Sequence, residues 1–456
     1  MSSNKIFQLA IAFAVMIAVL SCNDGMKQTS SGAILLQDVT LIDGNGGQPQ
    51  EHTSILLQGD TIAAIGQNPD SSNATVVNLS GKTVLPALIS DHVHIGSLKG
   101  VINKPENYTR DNILSQLKKY GDYGVLNILV AGSDRPYLFD SGIRDSSVNG
   151  LLPGARIHSA GYGFGVPAGA PPVNFAMDNV YRPTDAKQIP AEMDSLQQTN
   201  PEVVKIWVDD FGGQFKIMSP VIYKTIIGEA HKRNLRVMAH AYYLSDARQL
   251  VADGVDIIGH SIRDSIADDA LVQQIKAKGI VYIPTLSLDE FAYIYARKPE
   301  WLSDAFFKAS LEPGVYEMIT SEKYQNDLKS SPAYARNTRA FETALKNLKK
   351  LYDAGVLIAF GTDSGAMPLR AQGFSEHLEL ELMVEAGLTP LQAITIATKN
   401  SAQVLKAERQ FGTIEKGKVA DLLIVDGNPS INIKDTRKIH AVYKAGKEVS
   451  KGPVHQ

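Results

Sequence analysis

Three features of the sequence predict an α/β fold, a (β/α)8 barrel with a small composite β-sandwich formed by the two ends of the chain. Apolar, β-branched runs alternate with helix-patterned segments from residue 83 to residue 361. Histidines and an aspartate stand at the carboxyl ends of several of those runs. Short strands broken by Gly, Asn and Asp turns cluster at both termini. With 456 residues, 44% of them apolar, the chain can bury a core that needs no disulfide or structural metal. Its 45 basic and 48 acidic residues leave a net charge of −3. That balance offers no cationic surplus for phosphates, so no nucleic-acid partner is expected.

From the amino terminus, Asn4-Lys5 precedes the apolar run from Ile6 to Leu20. This is the layout of a signal peptide, shorter than the ~20 residues a spanning helix requires. Val19-Leu20-Ser21-Cys22 resembles the lipobox of bacterial lipoproteins. The resemblance implies a leader over 1–21, a lipid on Cys22 that attaches the chain to a membrane, a polar tether over 22–32, and an exported protein of the cell envelope. An uncleaved anchor or a plain secretory signal is the alternative. Cys22 is the 1 cysteine of the chain, so the rest has no thiol nucleophile and no zinc-thiolate site.

Residues 33–84 read as strands, among them Ile34 to Ile42 and Thr53 to Leu57, and residues 409–452 repeat the pattern at Ala420 to Val425 and Ile439 to Lys447. Neither set covers a sheet face alone, so the two are expected to pair into one domain. Between them, over 85–408, the barrel strands are expected at Thr83 to Asp91, Gly124 to Val130, Ala155 to Ala160, Val203 to Val208, Leu235 to Ala239, Val255 to Gly259, Ile280 to Thr285 and Val356 to Gly361. Ser219-Pro220 opens one helix, with Val221, Ile222, Ile226 and Ala230 on its apolar stripe. The aromatic stretch 286–336 is too long for a βα loop. It reads as a helical lid over the mouth or as an inserted helix pair packed in the ordinary way.

The chemistry concentrates at strand ends, where barrel active sites are built. His92 and His94 are two apart and share one side of the first strand, which is half of a divalent-metal site. His240, His260 and Asp363 close three further strands. Each alone has a bland reading as a buried, backbone-bonded histidine or a helix cap; together they point to a metal. Lys205 lies mid-strand, in Val203-Val204-Lys205-Ile206-Trp207-Val208. Burial there requires compensation, either an adjacent carboxylate or conversion of the neutral amine by CO2 to a carbamate able to bridge two ions.

Val84-Leu85-Pro86-Ala87-Leu88-Ile89-Ser90-Asp91-His92-Val93-His94, Gly361-Thr362-Asp363 and the return segment Gly412 to Leu422 together resemble the amidohydrolase superfamily, in the branch of imidazolonepropionase and Xaa-Pro dipeptidases. Ala87 and Ser90 depart from the usual glycine and aspartate. The resemblance implies that His92, His94, Lys205, His240, His260 and Asp363 are metal-site residues, with Lys205 matching a carboxylated lysine. Zinc is the expected ion, two ions if Lys205 is carboxylated and one otherwise. It also implies hydrolysis of an amide, peptide-like or cyclic-amide C–N bond in a small-molecule or dipeptide-like substrate by a metal-activated hydroxide, with Asp363 as proton acceptor. Arg263 is placed to bind a substrate carboxylate, and Tyr242 or Tyr243 to steady an oxyanion. A homo-oligomer is compatible with the sequence. No glutamate follows His240, which disfavours deamination. The rival from another class is an envelope lipoprotein that binds a ligand on an inactive scaffold.

Overall fold

The computed structural model describes residues 32–454. The leader, Cys22 and all of the tether but Gly32 lie outside the described residues. Among the described residues no helix is long and apolar enough to cross a membrane.

Strands from the two ends of the chain are hydrogen-bonded into one eight-stranded sheet. Its seam is the antiparallel pair of Leu422–Asp426 with Lys82–Pro86, in which Leu422 faces Pro86 and Ile424 faces Val84. Lys82 Nζ donates to Asp426 at the end of that seam, 2.5 Å away. Apolar residues from both termini, including Leu36, Ile55, Val84, Leu422, Ile424 and Tyr443, form a common core.

The expected first barrel strand is divided. Lys82–Pro86 belongs to the terminal sheet and Leu88–Val93 to the parallel strands. Pro86 has no N–H to continue the ladder, and the chain changes partners there: Ala87 N donates to Asp421 O and Leu88 N to Gly124 O. The parallel strands then form two arcs. Leu88–Val93, Val125–Val130 and Arg156–Ser159 make one, and Val203–Val208, Arg236–Ala241, Ile257–Gly259 and Val281–Ile283 the other.

The expected strand over 356–361 is not a strand. The segment contacts its neighbours through isolated bridges, Ile358 with Tyr282 and Ser364 with Val93, while a further bridge from Phe164 to Ile206 links the arcs. The fold is therefore barrel-like rather than one continuous closed sheet. The physical reason lies in crowding and backbone form. A Cβ at Gly361 would lie 2.7 Å from His92 Cβ and from Ile283 Cγ2, and Asp363 follows at φ +60°, which no extended strand accommodates.

The helix Pro220–Lys232 forms as predicted, but buries Tyr223, Ile226, Ile227 and Ala230. Val221 is exposed instead. The aromatic stretch holds more than a helix pair: Leu286–Phe291, Ala305–Ser310, Val315–Thr320 and Glu322–Ser330 precede the long helix Tyr334–Asp353. Phe291 and Tyr295 stack at 5.8 Å, and Phe307 packs on Trp301 at 4.8 Å. Phe291, Tyr293, Tyr295, Phe306 and Phe307 are core and Trp301 and Tyr316 pack half-buried against them, while Leu288, Asp289 and Ala292 face the central cavity.

Candidate metal centre

The strand Leu88–Val93 delivers His92 and, just past its end, His94 to one side, as the two-residue repeat requires. Both are buried. Asp363 arrives from the segment that replaces the eighth strand, fixed by its own N–H donating to His92 O at 2.8 Å. Its Oδ1 lies 3.0 Å from His94 Nε2 and 3.4 Å from His92 Nε2. The three side chains offer ligand atoms all within 4.8 Å of one another. His94 Nδ1 is paired with Ser133 Oγ at 2.5 Å. Room for the His92 ring comes from Gly259, whose Cβ would lie 3.3 Å from His92 Nδ1.

Lys205 is fully buried, its Nζ 3.3 Å from His92 Nε2 and 5.4 Å from the centre of the Trp207 ring. Gly132, at φ +80°, lets the backbone pass; a Cβ there would lie 2.7 Å from Lys205 Cβ. Among the described residues no carboxylate forms an ion pair with Lys205, and burial drives its ammonium down to about 7, against the pull of Asp363. The rings of His240 and His260 stand 4.2 Å apart, and His260 is 4.4 Å from His92. Asp209 Oδ2 holds His240 Nε2 at 2.8 Å and Thr285 Oγ1 holds His260 Nδ1 at 2.8 Å. One nitrogen of each ring is thereby left for another partner. The expected ligands thus come together, but the tight three-donor group contains only His92, His94 and Asp363.

Electrostatics keep His92, His240, His260 and Asp363 in ligating form. Burial, then the Lys205 charge, pushes His92 well below the usual imidazole range. Burial, then neighbouring His240, does the same to His260. Burial also lowers His240, with Asp209 opposing. Neutral imidazoles carry the lone pair a metal needs. For Asp363, burial alone would raise the carboxyl. The Arg370 guanidinium on its Oδ2, followed by the His94 contact, outweighs that and holds it well below the carboxylate range. Two imidazoles and an ionised carboxylate in a buried cluster fit a divalent cation, and the uncompensated Lys205 fits a site that receives more anionic charge.

The centre opens on a cavity of about 290 Å³ lined by His94, His240, His260 and Asp363. Arg263 lines it too, but as a buried residue rather than a solvated one. Its Nε lies 3.0 Å from Asp289 Oδ1, and its guanidinium lies 4.7 Å from the Tyr242 ring centre. Burial pushes Asp289 up to about 6 even beside Arg263. Tyr242 faces the cavity. Tyr243 does not: its hydroxyl donates to Asp210 Oδ1 at 2.9 Å, so the expected oxyanion role does not extend to it. Sequence reasoning passed over Asp209, Asp289, Arg336 and Arg370. Asp209 stood at the end of the strand Val203–Val208, a position of the same kind as the histidines. The other three carried no local signal.

The sequence pattern of the amidohydrolase family matches residues 83–449. The chain is 23% identical over 425 residues to a 5-methylthioadenosine/S-adenosylhomocysteine deaminase of Thermoanaerobacter pseudethanolicus, covering 86% of this chain and 85% of the other. It is 23% identical to an imidazolonepropionase of Shouchella clausii, over 89% and 87% of the two chains. Among solved structures it is similar to a Xaa-Pro dipeptidase with bound methionine, at 26% identity and TM-score 0.72, over 91% of this chain and 99% of that one. A protein described as a prolidase from Bifidobacterium longum superposes with TM-score 0.72 at 23% identity, over 93% and 96% of the two chains.

Proposed function

The chain belongs to the amidohydrolase family, and from that premise we propose that it hydrolyses an amide, peptide-like or cyclic-amide C–N bond in a small molecule. The observation that carries the reading is the gathering of His92, His94 and Asp363 within 4.8 Å, with His94 and Asp363 on the cavity wall. These residues would hold a divalent ion, for which zinc suits the nitrogen-rich donors; when bound, it supplies Lewis acidity and acidifies water. Asp363 accepts a proton from the attacking water and returns it to the leaving nitrogen. Arg370 keeps that carboxylate ionised and oriented. Tyr242 offers a hydroxyl to the developing oxyanion. Its position just after the His240 strand end, where a deaminase would place an acid, supports amide hydrolysis over deamination.

Lys205 would become a ligand in its carboxylated form. The neutral amine would attack CO2, forming an N–C bond and releasing one proton, and the carbamate oxygens with His240 and His260 would hold a second ion. The lack of an ion-pairing carboxylate on Lys205 among the described residues supports this. The cavity combines Phe175, Met177, Trp207 and Phe211 with Arg336, which favours a substrate with an apolar group and an anion; Arg263, paired with Asp289, supports the wall. The two ends of the chain, up to Pro86 and from residue 409 to residue 452, form the accessory domain, and the segment between them the catalytic one. The lipobox resemblance of Val19-Leu20-Ser21-Cys22 supports attachment to a membrane of the cell envelope through Cys22.

The test is a screen of zinc-loaded protein against N-acyl amino acids, Xaa-Pro dipeptides and cyclic imides. Turnover that disappears on chelation and returns with zinc supports the hydrolase. A protein that binds these compounds but neither binds zinc nor cleaves them would instead be a ligand carrier.

A further inference from the structure

Asp363 sits at φ +60°, a backbone form that a non-glycine residue keeps only where the surroundings over-determine it. We propose that Glu376 is the positioning residue that imposes this pose, clamping the residues on either side of Asp363. The inference rests on the metal reading of the site. Glu376 lies on the helix Phe374–Glu385 and is fully buried. Its Oε1 accepts from Thr362 Oγ1 at 2.7 Å, from Ser364 Oγ at 2.8 Å and from Ser90 Oγ at 3.3 Å, while Oε2 accepts from Gly373 N at 2.8 Å.

Thr362 and Ser364 are the two neighbours of Asp363. Ser90 precedes His92 by two residues on the strand that also presents His94. One carboxylate therefore ties together both segments that supply the three-donor group. The hydroxyl protons are all directed inward: Ser364 spends its proton on Glu376, so Tyr120 donates to Ser364 Oγ at 2.7 Å, and Thr362 Oγ1 accepts from Ser364 N at 3.1 Å. Among the described residues no cation pairs with Glu376. A buried acid satisfied only by hydroxyls and one amide is a poor way to stabilise a fold, yet a direct way to fix three short side chains.

Glu379, one turn along the same helix, provides the contrast. It is equally buried, but accepts from Leu286 N and Ser287 N, both at 2.7 Å. Its bonds serve the start of the helix Leu286–Phe291 and touch neither neighbour of Asp363.

The test measures Zn2+ affinity by chelator competition, the Co2+ absorption spectrum and Tm for the wild-type chain, Glu376→Leu, Glu376→Gln and Glu379→Gln. Glu376→Leu is expected to weaken Zn2+ binding about 10- to 100-fold and alter the Co2+ spectrum. Glu376→Gln, which keeps an acceptor for the hydroxyls, gives a smaller loss. Glu379→Gln lowers Tm with wild-type affinity and spectrum. Wild-type affinity in Glu376→Leu, or equal shifts of Tm and affinity in the Glu376 and Glu379 variants, would overturn the proposal. If Glu376→Leu does not fold, Thr362→Val and Ser364→Ala decide: weakened Zn2+ binding in both supports the clamp, unchanged binding in both refutes it. A wild-type chain with no Zn2+ affinity would overturn the metal reading as well, whereas normal wild-type affinity with unaffected variants overturns Glu376 alone.

Discussion

The two halves of the site solve the same problem differently. On one side, His92, His94 and Asp363 converge until their donor atoms lie within 4.8 Å. On the other, His240 and His260 meet ring to ring at 4.2 Å, each with one nitrogen held by Asp209 or Thr285. The first half is a three-donor group able to hold a cation. The second is a pair of oriented imidazoles that need a further anion to close a site, and Lys205 Nζ stands 3.3 Å from His92 Nε2. The difference assigns the first ion of the proposed site to the first half, and makes a second ion there depend on the proposed carboxylation of the lysine.

The largest effect is expected where the first half is broken. On the proposed mechanism Asp363→Asn removes both a ligand and the proton acceptor, and kcat should fall by about 10²- to 10⁴-fold; steady-state kinetics showing a loss of a few-fold would place the chemistry elsewhere. The second half is tested through its supports. Asp209→Asn should weaken metal affinity or activity about 10- to 100-fold, read by titration with Zn2+, whereas equal affinity would mean that His240 needs no orienting partner. Lys205→Ala should lower the metal content found by elemental analysis from two ions to one, with partial recovery in short carboxylic acids; unchanged content counts against the carbamate.

Smaller effects separate the two cavity arginines. Arg263→Gln leaves Asp289 buried without its partner and should cost about 3 kcal/mol or more of stability, seen as a lower Tm. Among the described residues Arg336 has no carboxylate partner. Arg336→Gln should raise KM for an anionic substrate by about tenfold, with little change in Tm. If the two variants behave alike, the distinction between a structural and a substrate-facing arginine fails.

Much of this was legible because strand ends in an α/β fold concentrate function. His92, His94, Lys205, His240, His260 and Asp363 each stand in or beside an apolar run, and a polar residue in such a run has few structural excuses. The residues that escaped notice act through space. Glu376 reaches Ser90 across 286 residues of chain, so Ser90, which read as a departure from the family pattern, turns out to face a carboxylate carried by a distant helix. Asp289 comes from the aromatic stretch, and its pairing with Arg263 is why that arginine is buried. Tyr242 and Tyr243 are adjacent in sequence, and only the turn after the strand Arg236–Ala241 sends one to the cavity and the other to Asp210. The segment 356–361 has strand composition, but the glycine that makes space for His92 and the left-handed Asp363 interrupt the ladder.

The central claim is that His92, His94 and Asp363 share one cation. Crystals grown with zinc and measured across the zinc absorption edge test it most directly. An anomalous peak at about 2.0–2.2 Å from His92 Nε2, His94 Nε2 and an Asp363 carboxylate oxygen is the expected result. No peak at that point in crystals that hold zinc elsewhere would contradict the claim.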